Sequence, residues 1–210
     1  MLFIYGALTV GGIETFFVRM AKERFKNNLH TSILLLSKPE LSNAELLSEM
    51  KKYANVIFPK DIFHGPALLC RRLPLLCQVD EERLVANLKS IDQIHVYHGM
   101  HALLGYRLAQ KLKKTIPVTV GFYHYIKYLW GGDNVAWHEK LNRKFIFKYL
   151  PEESLSFFSE GNRELYIKHK KQKFEKSNTF RLGVIDKKMI TLSGDIVAPV
   201  KIAAVGRLVE

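Results

Sequence analysis

The feature that most constrains the fold is the alternation of short apolar runs with longer stretches of helical period. The strand-like runs are LFIY, SILLLS, NVIF, QIHVYH, VTVGF and LSFFS. Between several of them lie stretches in which apolar residues recur at helical spacing: IETFFVRMAKERF, SNAELLSEMKKY, DEERLVANLKSI and ALLGYRLAQKLKK. This alternation predicts parallel βα units, and therefore an α/β fold built on a doubly wound parallel sheet.

The first helical stretch has the clearest amphipathic pattern. Its apolar positions follow the i, i+3, i+4, i+7, i+8 rule of a helix with one buried face: Ile13, Phe16, Phe17, Met20 and Ala21. The charged residues between them, Arg19, Lys22 and Glu23, fall on the opposite side. We predict that the apolar stripe packs against the sheet.

Composition limits the class of protein. The chain has 210 residues, of which 48% are hydrophobic and 25% charged, which suits one good-sized core or one domain with part of another. No apolar run approaches the roughly 18 residues that a membrane span needs, and the start MLFIYGALTV lacks a basic leader, so we expect a cytoplasmic protein. Cys70 and Cys77 are expected to be buried free thiols rather than a disulfide, and they suggest no chemistry.

The net charge of +12 suggests a polyanionic partner: nucleic acid, an anionic membrane surface or phosphorylated small molecules. A solvated basic face is the simpler interpretation. Nucleic acid is not expected, because no recognition-helix, zinc-finger or RNA-binding motif accompanies the charge. An anionic membrane surface is the stronger candidate. Aromatic and basic residues cluster in residues 130–148, and such a segment could lie on anionic headgroups: Trp130, Trp137, Lys140, Arg143, Lys144 and Lys148. The alternative is a helix docked on the sheet with an exposed basic face.

Residues that follow the strands are the candidate ligand contacts, since doubly wound sheets bind ligands outside the carboxyl ends of their strands. After the first strand, Gly11 and Gly12 could let the backbone approach a ligand, and the helix that begins near Ile13 would point free N–H groups at an anion. A plain tight turn is the alternative, because GGIE is not the dinucleotide motif G-x-G-x-x-G.

Three histidines after the fourth predicted strand offer a metal site as an alternative. His95, His98 and His101 have a spacing that could recruit zinc. On a strand, however, His95 and His98 point to opposite faces, and neither cysteine nor carboxylate stands beside them. We therefore predict no metal and no bound cofactor.

Several motifs together resemble family 4-like glycosyltransferases of the GT-B fold. GGIETFFVRMAKE resembles the glycine-rich loop and first helix of their amino-terminal domain, and IHVYHGMHALLGYRLAQKLKKTIPVTVGFYH resembles their fourth and fifth strands. FFSEGNREL is similar to the sixth strand and its helix, whereas FRLGVID departs from the usual P-N-G-I-D. The last residues, KIAAVGRLVE, are similar to the opening strand of the second domain.

The resemblance implies one half of a GT-B architecture. Residues 1–185 would form the Rossmann-like acceptor-side domain, residues 186–199 an interdomain linker, and residues 200–210 the first strand of a carboxyl-terminal donor domain that is otherwise missing. The donor domain would hold the nucleotide sugar, which acts as a co-substrate.

The resemblance also assigns functions to individual residues. His124 matches the histidine of the acceptor cleft and is the candidate catalytic residue, because imidazole can donate or accept a proton near neutral pH. Gly11 and Gly12 match the loop that approaches the donor phosphates and the acceptor, and His98 is a further substrate-binding candidate. Arg207 matches the arginine that contacts the donor pyrophosphate.

Two functions from different classes follow. The first is the amino-terminal half of a retaining, metal-independent glycosyltransferase that moves a sugar from a nucleotide sugar to a saccharide or lipid-linked saccharide during surface polysaccharide assembly, on the inner face of the membrane. The 210-residue chain alone is expected to be inactive. The second is a catalytically inert basic module that binds a membrane surface or a separately encoded partner domain.

Overall fold

A computed structural model describes residues 1–65, 78–88, 90–97, 101–112, 115–122, 150–170 and 175–179, with no side-chain statement for residues 169 and 170. Its helices are α1 (Gly12–Lys26), α2 (Ala44–Lys51), α3 (Glu81–Leu88), α4 (Ala102–Lys111) and α5 (Glu160–Lys170). Its strands are β1 (Leu2–Tyr5), β2 (Ser32–Leu35), β3 (Asn55–Ile57), β4 (Phe63–His64), β5 (Gln78–Val79), β6 (Ile94–Tyr97), β7 (Val118–Phe122), β8 (Leu155–Phe157) and β9 (Asn178–Thr179).

The main sheet confirms the predicted fold class. Among the described residues, seven strands pair in the order β3-β2-β1-β6-β7-β8-β9, and every pair in that sheet is parallel. The order runs outward in both directions from β1 and β6, which makes the sheet doubly wound and Rossmann-like. All six predicted strands and all four predicted helices are present at the expected places.

Helices cover both faces of this sheet. One face carries α1 and α2, whose apolar residues pack on outward-pointing residues of β1 and β2 such as Phe3 and Ile33. The opposite face carries α3 and α4, which pack on Ile4 and Val96. Because both faces are covered, β1, β2 and β6 are buried at every residue, as parallel strands require.

The predicted stripe of α1 is confirmed. Phe17 and Ala21 are fully buried, and Ile13, Phe16 and Met20 pack against the same core cluster. Arg19, Lys22 and Glu23 are exposed. The end of the helix also suits its dipole, since Arg24 and Lys26 lie in the last turn.

Three short elements were not predicted from the sequence. The two-residue strands β4 and β5 form a separate antiparallel hairpin after β3, and β9 extends the edge of the main sheet. Strands this short show no alternation of apolar and polar residues, so only their pairing defines them. None of the described helices has the length and apolar character that crossing a membrane would require.

Gly105 lets α4 lie close against the sheet. A Cβ at this buried position would approach Val96 Cγ2 to 2.5 Å and Val118 Cγ1 to 3.2 Å. Neither valine can move away easily, because both lie on central strands packed in the core. The glycine is therefore a packing requirement of the α4–sheet contact.

We predict that Gly105→Ala lowers the free energy of unfolding by about 1 to 3 kcal/mol, the usual cost of overpacking a core. Gly161→Ala in α5 is the matched control, because a Cβ there meets nothing within 4 Å. Alanine also favours the helix, so this control should be neutral or stabilising by up to about 1 kcal/mol. Denaturant unfolding measures both, and equal effects would contradict the packing argument.

His95 on β6 is a core residue. Its Nδ1 lies 2.8 Å from the Thr119 hydroxyl on β7, and its ring meets Phe3 of β1 edge to face at 5.8 Å between centroids. Burial lowers the pKa of His95 from 6.5 to about 4. The imidazole is therefore neutral in the folded protein near physiological pH.

This pKa shift predicts a loss of stability in acid. Between pH 6.5 and about 4 the unfolded chain binds a proton at His95 that the folded chain does not, so stability falls as the pH falls through this window. The shift corresponds to about 3 kcal/mol. The test measures the free energy of unfolding of the parent and of His95→Gln at pH about 7.5 and at pH about 4. Between these two pH values the variant should lose about 3 kcal/mol less than the parent. An identical loss in both proteins would contradict the assignment.

Candidate functional site

The order of the strands creates a crevice at one edge of the sheet. β1 and β6 are neighbours, but the chain leaves β1 towards α1 on one face and leaves β6 towards α4 on the other. The helices that follow these two strands in the chain, α1 and α4, therefore lie on opposite faces of the sheet. This switch point is where doubly wound sheets bind their ligands.

Two tyrosines end the strands that flank the crevice. Tyr5 is the last residue of β1 and Tyr97 the last of β6, and their rings meet edge to face with centroids 4.4 Å apart. Phe17 of α1 contacts both rings, at 5.2 Å from Tyr5 and 5.9 Å from Tyr97. The floor of the crevice is thus a packed aromatic cluster.

Glu14, in the first turn of α1, is a buried carboxyl group with only 7% of its surface exposed. The Tyr5 hydroxyl donates a hydrogen bond to Glu14 Oε1 at 2.8 Å, and the Thr9 hydroxyl donates to the same oxygen at 2.7 Å. One donor comes from the end of β1 and the other from the loop. Glu14 therefore ties strand, loop and helix together at the mouth of the crevice.

The second oxygen, Glu14 Oε2, has a different environment. Within the described part of the chain it receives no hydrogen bond, and it lies against the backbone of Gly11, where a Cβ would collide with it. Gly11 has an extended backbone, with φ −173° and ψ 167°, so it is not needed for an unusual conformation. Its lack of a side chain makes room for the carboxylate.

The charge of Glu14 also affects its neighbours. The pKa of Tyr5 is raised far above its ordinary value, first by burial and then by the neighbouring Tyr97 and by the hydrogen bond to Glu14. Burial likewise raises the pKa of Tyr97. Tyr5 therefore keeps its proton at any working pH and remains a hydrogen-bond donor to the carboxylate.

The loop between β1 and α1 is fixed at its start. Gly6 O accepts from Ser37 N at 2.9 Å, and Leu8 O accepts from Asn43 N at 2.7 Å. The Leu8 side chain is fully buried, whereas Val10 is 72% exposed. The first half of the loop is part of the core, whereas Val10 and Gly12 at its tip are exposed and Gly11 is half-buried.

Among the residues predicted as sites, only Gly11 and Gly12 lie in the described part of the chain. Gly12 is exposed, and a Cβ there would meet nothing within 4 Å. Their contact with a ligand stays a prediction. The other predicted site residues, both cysteines, the linker and the last strand lie outside the described residues: His98, His124, Trp130, Trp137, Lys140, Arg143, Lys144, Lys148, Arg207, Cys70, Cys77, residues 186–199 and residues 200–210.

The histidine series gives no metal site within the described residues. No group of three histidine, cysteine or carboxylate side chains there could hold a metal ion. His95 lies within the core beside Thr119, and His101 is buried directly before α4.

Sequence reasoning did not single out Tyr5, Thr9, Glu14 or Tyr97. A signal was present for Glu14, which stands three and four residues before the buried Phe17 and Val18 and so falls on the inner side of α1. An acidic residue on a buried helical face needs a partner. The sequence around Tyr5 and Tyr97 indicated only ordinary strand residues.

Comparison with solved structures gives a distant likeness. No family model matches the sequence, and no curated protein matches it at a significant level. A crystal structure of a ugt transferase from Siraitia grosvenorii in complex with UDP is similar to the chain, with 12% identity and a TM-score of 0.43. The likeness covers 87% of this chain and 51% of that one, so this chain spans about half its length. The fold class rests on the parallel sheet itself.

We predict that Gly11→Ala lowers the free energy of unfolding by about 1 to 2 kcal/mol, because the new Cβ displaces the carboxylate from its two hydroxyl donors. Gly12→Ala should have no such cost, since the space around it is open. In a Glu14→Ala background, Gly11→Ala should cost less than about 0.5 kcal/mol. A cost that is independent of Glu14 in this double-mutant cycle would contradict the account of Gly11.

Proposed function

We propose that this chain is the acceptor-side half of a glycosyltransferase that moves a sugar from a nucleotide-sugar donor to a saccharide or lipid-linked saccharide acceptor. The proposal rests on the sequence resemblance to family 4-like enzymes of the GT-B fold. One structural observation supports it: the strand–GGIE–helix unit, which is one of the motifs that carry the resemblance, lies at the switch-point crevice of the sheet. The same motif elsewhere on the surface would not suggest a ligand-binding site.

The order of elements supports the same proposal. The segment that resembles the fourth and fifth strands of the family contains β6, α4 and β7, and the segment that resembles the sixth strand contains β8 and the start of α5. These strands follow one another across one half of the sheet. Sequence order and spatial order therefore agree for each motif in the described chain.

The chemistry of the crevice also suits a sugar. Saccharides present many hydroxyl groups, which fixed hydrogen-bond acceptors can recognise. At this edge of the sheet the carboxylate of Glu14 is held by the Tyr5 hydroxyl, and the buried rings of Tyr5 and Tyr97 pack beneath it. A cradle for a phosphate alone would not need a carboxylate there.

The remaining parts of the mechanism follow from the resemblance. His124, which comes two residues after the end of β7, is proposed to contact the transferred sugar or the acceptor hydroxyl. His98, directly after β6, is proposed to bind substrate near it. Arg207 would stabilise the negative charge of the leaving nucleotide. Transfer would be retaining and would not require a metal.

The proposal includes a second domain and a membrane surface. Residues 200–210 are proposed as the first strand of the donor-binding domain, reached through the linker 186–199. Residues 130–148 are proposed to hold the enzyme on the anionic inner face of a membrane through their tryptophans and basic residues. Surface polysaccharide assembly is the process in which such an enzyme would act.

We predict that His124→Ala reduces sugar transfer by about 10² to 10⁴-fold in the whole protein that contains this chain, because it removes a polar contact at the reacting centre. The assay measures release of nucleoside diphosphate from a panel of UDP-, GDP- and ADP-sugars in the presence of saccharide acceptors. The melting temperature should change little.

His30→Ala is the matched control, because His30 is exposed and its hydrogen bonds in the described part of the chain are made by its backbone carbonyl, which alanine keeps. It should transfer sugar at the parental rate. Transfer by His124→Ala within a few-fold of the parent would remove His124 from the mechanism. Absence of transfer with every donor, together with salt-sensitive binding to anionic vesicles, would favour the inert basic module instead.

A further inference from the structure

The last residue of β7, Phe122, is anchored by β8 and α5. The register that joins β7 to β6 ends at Gly121 and Tyr97, whereas Phe122 pairs with Phe157 of β8. The Phe122 ring stacks on Phe157 with centroids 5.0 Å apart and meets Tyr166 of α5 edge to face at 5.1 Å. The position of this strand end therefore depends on how α5 packs.

Asn162, in the first turn of α5, holds the backbone at the same place. Its Nδ2 donates a hydrogen bond to Phe122 O at 3.1 Å, and the residue is only 1% exposed. Phe158 N donates to the same carbonyl at 3.3 Å. Asn162 is itself fixed, because its backbone N–H donates to Ser159 Oγ at 3.1 Å. It therefore connects the start of α5 to the carboxyl end of a strand that α5 does not follow in the chain.

The other polar atom of the Asn162 side chain shows what this contact costs. Oδ1 is sealed from solvent and accepts no hydrogen bond from the described residues. A buried acceptor without a donor lowers stability, so an apolar side chain would suit this position better if stability alone mattered. Local rules of this kind are broken where function needs a particular geometry. The contribution of Asn162 is therefore to be sought in the carbonyl that its Nδ2 holds.

Chain connectivity links that carbonyl to His124. Two peptide units separate the Cα atoms of Phe122 and His124, which limits the distance between them to about 7.6 Å. The Phe122 carbonyl lies in the plane of the first of these units, because the peptide bond is planar. A hydrogen bond to this oxygen therefore fixes the direction in which the chain leaves β7.

We propose that Asn162 is a positioning residue, which orients His124 through the hydrogen bond to the Phe122 carbonyl. The place of His124 at the reacting centre rests on the proposed function. The effect of Asn162 on the orientation of His124 rests on the backbone contact alone.

The ring signals of His124 test the orientation without any need for activity. The whole protein is labelled with ¹³C- and ¹⁵N-histidine, and the His124 signal is identified by its loss in His124→Ala. Asn162→Leu keeps the branched shape of the side chain and removes both polar atoms. The His124 signal should move by more than its linewidth in this variant, while the melting temperature changes by less than about 5 °C. An unmoved His124 signal would overturn the proposal.

Asn87→Leu is the matched control. Asn87 of α3 also donates from Nδ2 to the backbone carbonyl of another segment, that of Asp61 at 3.3 Å. Asp61 follows β3, which lies on the other side of β1 from β7 in the sheet. This variant should leave the His124 signal in place, and an equal movement in both variants would overturn the proposal. If Asn162→Leu does not fold, the smaller Asn162→Ala carries the same test.

Kinetics show whether Asn162 acts through His124. In an active enzyme, Asn162→Leu should lower kcat about 10- to 100-fold and leave KM for both substrates within about threefold, because it misplaces a group at the reacting centre. In a His124→Ala background the same substitution should change kcat by less than about twofold. An unchanged kcat in the parent background, or an equal loss in both backgrounds, would contradict a positioning role.

The two measurements also separate this inference from the proposed function. A His124 ring that responds to Asn162→Leu, in a protein that transfers no sugar, would support the positioning role and overturn the transferase. An active transferase in which the His124 ring is unmoved would leave the proposed function intact and overturn the positioning role.

Discussion

The structure depends on the burial of β1 between β2 and β6. All four residues of β1 are buried, and they alternate between the two core clusters on opposite faces of the sheet. A parallel strand in this position must be covered on both faces, because its residues are apolar throughout. The helices of the chain are therefore divided between the faces, and that division places the switch point beside β1.

The same constraint explains where polar groups appear. Inside the sheet the polar side chains are few, and His95 on β6 pairs with Thr119 on β7. At the carboxyl edge, where β1 and β6 end, the aromatic core gives way to hydroxyl and carboxyl groups. Tyr5 stands at this boundary, since its ring packs on Phe17 and its hydroxyl donates to Glu14.

Glu14 changes how the glycine-rich loop is to be understood. Two glycines before a helix suggest a backbone that comes close to a ligand phosphate. In this protein Gly11 makes room for a side chain of the same helix, and Gly12 alone leaves open space. The loop and its helix are joined by the Glu14 carboxylate, whose Oε1 accepts hydrogen bonds from Tyr5 and Thr9.

Local patterns in the sequence were enough to predict the class of fold and the positions of the main elements. Apolar runs and helical spacing are local properties, and burial on a parallel sheet imposes them on every strand and helix of adequate length; α1 and β6 are examples. The carboxyl-edge location of the GGIE loop also followed, because it depends only on the order of strand and helix. The tertiary structure alone decided which strands are neighbours, that β4 and β5 pair, and that Tyr5, Thr9 and Glu14 meet. Those contacts depend on the direction of side chains and on the pairing of strands. A local pattern of apolar residues specifies neither of them.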